Sequence, residues 1–127
     1  MPFAKTNLRD VEDQAAKHGV GDSQEARFPR EAIGAEQTGF NYLKVKPSRR
    51  EAFAHRHRSA EEIYLVLEGS GRVKLDSELV ELEAHDVVRV SPGVARSFEA
   101  GPDGLTVLVF GPRVEGDGEI VKDFWDE

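Results

Sequence analysis

The sequence predicts an all-β chain closed, or nearly closed, into a barrel, and three observations carry that expectation. From Gly39 onward, short runs of alternating apolar and polar residues recur at intervals of roughly eight to twelve residues. Tight turns built from Gly, Pro, Asp and Ser separate them, and together they leave little room for a helix. Closing such strands into a barrel removes the open edges that would otherwise invite aggregation.

Residues 1–37 read as an N-terminal arm. Leu8, Val11 and Ala15 have helical spacing, with Asn7 or Asp10 available as a cap and Gly19 and Gly21 as the stop. Ala26 and Phe28, followed by Pro29, suggest a short edge strand. The arm is expected to pack on the main body or to cross to a neighbouring subunit.

The barrel is expected over residues 38–112. Phe40 to Lys46 alternates and ends at Pro47-Ser48, and Ala52 to Arg58 forms the next strand. Ile63 to Leu67 is a third, with Glu68-Gly69-Ser70-Gly71 read as a hairpin turn. Val73 and Leu75, then Val80 and Leu82, then Val87 to Val90 mark three more, turned at Asp76-Ser77, Ala84-His85-Asp86 and Ser91-Pro92-Gly93. Arg96 and Phe98 share one face of a strand that is expected to stop at Gly101-Pro102-Asp103-Gly104, and Leu105 to Phe110 is the last. Residues 113–127 are left as a tail, whose Trp125 is expected to cap a barrel opening or a subunit contact. Ile63 to Leu67 is apolar on both faces, so its outer side needs a cover, either the arm or a second copy. A homodimer is the expectation.

A chain of 127 residues has room for one core and one domain. With no cysteine there is no disulfide, no thiolate ligand and no thiol nucleophile, so a metal would have to rest on histidine and carboxylate. The net charge of −7 argues against nucleic acid as a partner. The one basic island, Lys44, Lys46, Arg49, Arg50, Arg56 and Arg58, has no interleaved aromatic and reads as a solvated face. No apolar run approaches a membrane span and the first residues lack a signal-peptide pattern, so no membrane partner and a cytoplasmic location are expected.

Chemistry concentrates in HRHRSAEEIYLVLEGSG, His55 to Gly71. On an extended strand His55 and His57 point the same way, and Glu61 or Glu62 follows with a carboxylate. Two imidazoles and a carboxylate suit Fe, Mn, Ni, Zn or Cu. An isolated H-x-H is more often a polar edge in water. Tyr64, Phe53, Phe98 and Phe110 are candidates for lining a pocket or simply filling the core, whereas His18 and His85 fall in loops.

His55-Arg56-His57, four residues, Glu62, six residues and Gly69 resemble the first motif of the cupins, HxH-x(3,4)-E-x(6)-G. The glycine that often precedes it is Arg49 here. The second cupin motif is weaker: His85, Ser91-Pro92-Gly93, Arg96 and Ala100 stand where the family has Gly, PxG, His and Asn, with only the PxG glycine kept and Pro92 one place along. The resemblance spans about Gly39 to Gly111, and the stretch SFEAGPDGLTVLVFGPR is similar to that of small bacterial single-domain cupins. It implies a double-stranded β-helix, or jelly-roll, barrel with His55, His57 and Glu62 as three of four metal ligands.

The fourth ligand of the family pattern is Arg96 in this chain. A guanidinium offers donors and no lone pair. Two unit charges about 4 Å apart repel by about 4 kcal/mol at an effective dielectric near 20, and a divalent ion doubles this. Three outcomes follow. A metal stays on His55, His57 and Glu62 while Arg96, with Tyr64 and Phe98, binds an anionic substrate; Arg96 replaces the metal and pairs with Glu62; or Glu61 or water completes the coordination. The first implies a metal-dependent dioxygenase or isomerase acting on a small organic anion. The second implies a non-catalytic, metal-free binding or sensing module for a small molecule.

Overall fold

A computed structural model describes residues 2–126 and shows a single curled sheet of eight strands with very little helix. The strands are β1 (Gln24–Arg27), β2 (Phe40–Val45), β3 (Ala54–His57), β4 (Glu62–Leu75), β5 (Glu78–Glu83), β6 (Val87–Val90), β7 (Arg96–Phe110) and β8 (Gly118–Val121). All neighbours run antiparallel. The sheet curls into the two layers of a jelly-roll barrel because β4 and β7 pair with one another along most of their length and belong to both layers. Their first-layer halves, Ile63–Val66 and Leu105–Phe110, lie between β6 on one side and β2 and β1 on the other. Their other halves, Gly71–Leu75 and Arg96–Ala100, lie between β5 on one side and β3 and β8 on the other.

Two expected turns are therefore absent. Glu68 to Gly71 is not a hairpin, since β4 stays paired with β7 on either side of register shifts between Val66 and Glu68 and between Gly69 and Gly71, and Gly101 to Gly104 bulges out of that ladder without ending β7. The glycines serve close approach. A Cβ on Gly69, which has φ +84°, would stand 2.0 Å from Gly104 O, and one on Gly71 would stand 2.2 Å from Glu99 O. A bulge with no side chain lets the ribbon bend sharply from one layer to the other. From sequence, a glycine that permits a turn and a glycine that permits two backbones to touch look alike.

The expected helix is split. Asn7 caps a 3-10 turn at Leu8–Asp10, and Asp13 caps a short helix, α1 (Gln14–Lys17), by accepting from Ala15 N at 3.0 Å. The same Asp13 oxygen accepts from Ala26 N at 3.0 Å, so it ties α1 to β1 and breaks the helix before Gln14. β1 ends at Arg27, leaving Phe28 outside the strand and half exposed, and pairs with β2 of its own chain. At the other end, the segment expected to be a tail contributes β8, which pairs with β3 from Ala54↔Val121 to His57↔Gly118. Trp125 lies against the barrel wall rather than over a mouth: its Nε1 donates to Ser97 Oγ at 3.0 Å, and Arg50 stacks on its ring.

Tyr64, Phe98, Leu105, Val45, Val66, Val73 and Val107 form the centre of the core. Among the described residues nothing fully covers the outer side of β4, with Ile63 42% and Leu67 39% exposed beside Val87 and Phe110. Among the described residues no helix is long and apolar enough to cross a membrane.

The bend between layers depends on backbone contact at Gly71. Gly71→Ala should lower the free energy of urea unfolding by about 3 kcal/mol, because the new methyl must force β4 and β7 apart. A change under about 0.5 kcal/mol, within the range of surface substitutions, would show that the two strands do not touch there.

Candidate functional site

Alternation along β3 turns His55 and His57 to one face, where their rings meet edge to face with centroids 5.1 Å apart. β4 begins at Glu62, and its carboxylate arrives from the facing strand, 9% exposed. His57 Nε2 lies 3.4 Å and His55 Nε2 3.7 Å from Glu62 Oε1. These separations are long for hydrogen bonds. They match the edges of a coordination shell, since bonds of about 2.1 Å in a tetrahedron put ligand atoms about 3.4 Å apart. Ligand atoms of His55, His57 and Glu62 all lie within 4.8 Å of one another, so the three side chains could hold one metal ion. The donor set fits a divalent cation of the Fe, Mn, Ni, Zn or Cu type.

Glu61 is not part of this cluster. It faces outward, 3.5 Å from Arg89 Nη1, which removes it as a ligand.

Arg96 is inside the barrel with no exposed surface. Its Nε donates to Tyr64 Oη at 3.1 Å, its Nη1 to Val94 O at 2.8 Å and its Nη2 to Glu62 Oε1 at 3.3 Å. Tyr64 in turn donates to Glu62 Oε1 at 2.7 Å. The guanidinium is not among the residues that line the neighbouring cavity, and its donors go to Tyr64, Val94 O and Glu62. The reason is its rank in the strand: Arg96 pairs with His55 at the start of β7, deep between two layers. Burial alone would raise the Glu62 carboxyl, but the nearby His55 ring, the hydrogen bond from Tyr64 and the charges of His57 and Arg96 outweigh it and leave Glu62 below its ordinary value. Tyr64 goes the other way, pushed well above the ordinary phenol by burial and by Glu62.

The cluster opens on a cavity of about 320 Å³ whose walls include Phe28, Tyr42, Phe53, Tyr64 and Phe98 beside His55, His57 and Glu62. Phe110 is not among them; it packs on Phe40 at the outer side. A second cavity of about 380 Å³, with Arg30 and Arg113 in its wall, shares Phe28, Asn41, His57, Glu62 and Val109 with the first.

Two acids of the site escaped the sequence reading. Glu51 also lines the inner cavity, and its Oε1 accepts from Phe98 N at 3.1 Å. Burial pushes its carboxyl up to about 7, against the lowering effects of His55, the Phe98 amide and Arg96. Its parity with His55 and His57 was the available signal. Asp117 lies behind the histidines, with Oδ2 3.3 Å from His57 Nδ1. Burial raises its carboxyl, yet donors from Ser59 and Ala60 and the nearby His57 hold it down to about 2. Standing between Gly116 and Gly118, it has the signature of a turn residue and nothing more.

The family model for the Cupin domain matches residues 41–110. An uncharacterized protein of Methanocaldococcus jannaschii is 33% identical over 92 residues, 64% of this chain and 74% of that protein. Among solved structures, the polyketide cyclase RemF from Streptomyces resistomycificus superposes with a TM-score of 0.75 at 21% identity, covering 93% of this chain and 84% of that one. A sugar phosphate isomerase from Silicibacter pomeroyi gives 0.72 at 19% identity, covering 94% and 82%. At these identities the likeness to the solved structures is one of fold.

Glu51 binds its proton more tightly in the folded chain than in the unfolded one. Its stabilising effect is therefore whole below about pH 4.5 and declines as pH rises through about 7, by roughly 3 kcal/mol in total. Glu51→Gln should flatten that decline and unfold at higher denaturant than the natural chain above pH 7. Parallel stability–pH curves for the two proteins would show that Glu51 does not titrate there.

Proposed function

The chain belongs to the Cupin domain family, and on that premise we propose that it is a small metal-dependent enzyme acting on a small organic molecule in the inner cavity. The observation that carries this reading is the convergence of His55, His57 and Glu62 on the wall of a cavity that also holds Glu51. A divalent ion on those three residues would supply a Lewis acid able to polarise a substrate carbonyl or hydroxyl.

The chain's own groups do the rest. Tyr64 and Arg96 hold Glu62 in one orientation, and Tyr64 and Phe98 give the substrate an apolar wall that excludes water. Glu51 can take and return a proton near neutral pH, which favours isomerisation over dioxygenation. An anionic group on the substrate would be met by Arg30 and Arg113 in the outer cavity instead of by Arg96. The cyclase and the isomerase of like fold are consistent with small-molecule chemistry in this barrel.

A second reading, a metal-free binding module, is favoured by one observation. Arg96 Nη2 sits 3.3 Å from Glu62 Oε1, where a cation already opposes the carboxylate. Elemental analysis of protein purified without a nickel column separates the two. The enzyme reading expects one ion per chain, lost in His55→Ala and in His57→Ala; a natural chain free of metal, still binding small anions, would favour the module.

The same proposal takes the exposed strip of Ile63, Leu67, Val87 and Phe110 as a contact between two copies. Light scattering at micromolar concentration is expected to give twice the chain mass, and a monomer would remove the dimer.

A further inference from the structure

Asp117 approaches the histidine pair from the side opposite Glu62. His57 thus lies between two carboxylates, with Nε2 3.4 Å from Glu62 Oε1 and Nδ1 3.3 Å from Asp117 Oδ2. The Asp117 carboxylate cannot turn away. Its Oδ1 accepts from Ser59 N at 2.8 Å and from Ser59 Oγ at 2.7 Å, and its Oδ2 accepts from Ala60 N at 3.0 Å. The backbone reinforces the attachment, since Asp117 O accepts from Arg58 N at 3.0 Å. The acid is thereby fixed to the loop that joins His57 to Glu62. His57 Nδ1 is buried and makes no hydrogen bond among the described residues, so the Asp117 carboxylate 3.3 Å away acts on it through charge.

We infer that Asp117 is a positioning residue that keeps a proton on His57 Nδ1 and so reserves Nε2 as the ligand atom facing Glu62 and the cavity. This inference rests on the reading of His57 as a metal ligand. The physical reason is local. A bare Nδ1 would set a nitrogen lone pair against a carboxylate oxygen in a place water does not reach, whereas a protonated Nδ1 turns the same contact into attraction. At 3.3 Å the contact is longer than a closed hydrogen bond, and its effect is first of all electrostatic. A carboxylate behind a ligand histidine fixes the tautomer and makes the ring a better base. β8 carries this acid into place, so the C-terminal segment becomes part of the site.

Asp117→Asn is the decisive variant because the amide must choose a side. Its oxygen is drawn to the Oδ1 position, where two Ser59 donors converge, which turns the NH₂ towards Ala60 N and His57 Nδ1. That NH₂ is satisfied only by donating to a bare Nδ1, and the proton then moves to Nε2, the ligand atom. Nitrogen NMR of histidine-labelled protein should find Nδ1 protonated in the natural chain with and without zinc, and bare in Asp117→Asn. Calorimetric titration with zinc alone should give a dissociation constant roughly tenfold to a hundredfold higher for the variant. Ser59→Ala leaves the carboxylate in place and should keep the natural nitrogen pattern and zinc affinity. A bare Nδ1 in the natural chain, or a Ser59→Ala loss equal to that of Asp117→Asn, would overturn the inference. The nitrogen pattern of the natural chain decides the matter even if Asp117→Asn does not fold. A natural chain that takes up no zinc but carries its proton on Nδ1 counts against the metal reading alone.

Discussion

One oxygen atom, Glu62 Oε1, organises the interior. Tyr64 Oη lies 2.7 Å from it, Arg96 Nη2 3.3 Å, His57 Nε2 3.4 Å and His55 Nε2 3.7 Å. A carboxylate so enclosed needs compensation for its lost hydration, and the four neighbours provide it by hydrogen bonding and charge. Arg96 in turn is wholly enclosed, and its charge is tolerable only because Glu62, Tyr64 and Val94 O receive its donors. Each member is thus a condition for burying the next, and removing one partner would leave an uncompensated charge in the core.

The strand pairings bring these groups together. The histidines on β3 and Glu62 and Tyr64 near the start of β4 come from one stretch of the chain, and Arg96 comes from the distant start of β7. The two long strands deliver them to one place because each crosses from one layer to the other, bending where glycine lets the backbones meet. The site therefore lies where the two layers close on one another. Its precision is a property of pairing register, since a slip of one residue on β3 would turn both imidazoles to the outside.

The guanidinium in place of a further imidazole changes the character of the centre. Coupled to Glu62 and Tyr64, it reduces the negative charge that the acid can offer to a cation, while holding that acid in a single orientation. Asp117 restores negative charge behind His57, and Glu51 adds to it along the cavity only as pH rises through about 7. The balance of charge at the site is thereby spread over residues from four segments of the chain rather than set by the three candidate ligands alone.

Much of this was legible in the order of residues. Alternation identified β2, β5 and β6, the single-face placement of His55 and His57, and the inward turn of Arg96 with Phe98, because side-chain direction on an extended strand follows from parity alone. Spacing between His55, His57 and Glu62 identified the candidate ligands for the same reason: they lie within eight residues on two consecutive strands. Pairing between distant segments is not written in local pattern. Whether Gly69 and Gly71 turn the chain or let β4 touch β7, whether residues 118–121 form a strand, and whether Arg96 meets a ligand or Glu62 depend on which backbone arrives alongside. Asp117 reaches His57 through a partnership of 60 residues' separation, and only the curled sheet, by pairing β8 with β3, creates the neighbourhood in which that carboxylate has anything to act upon.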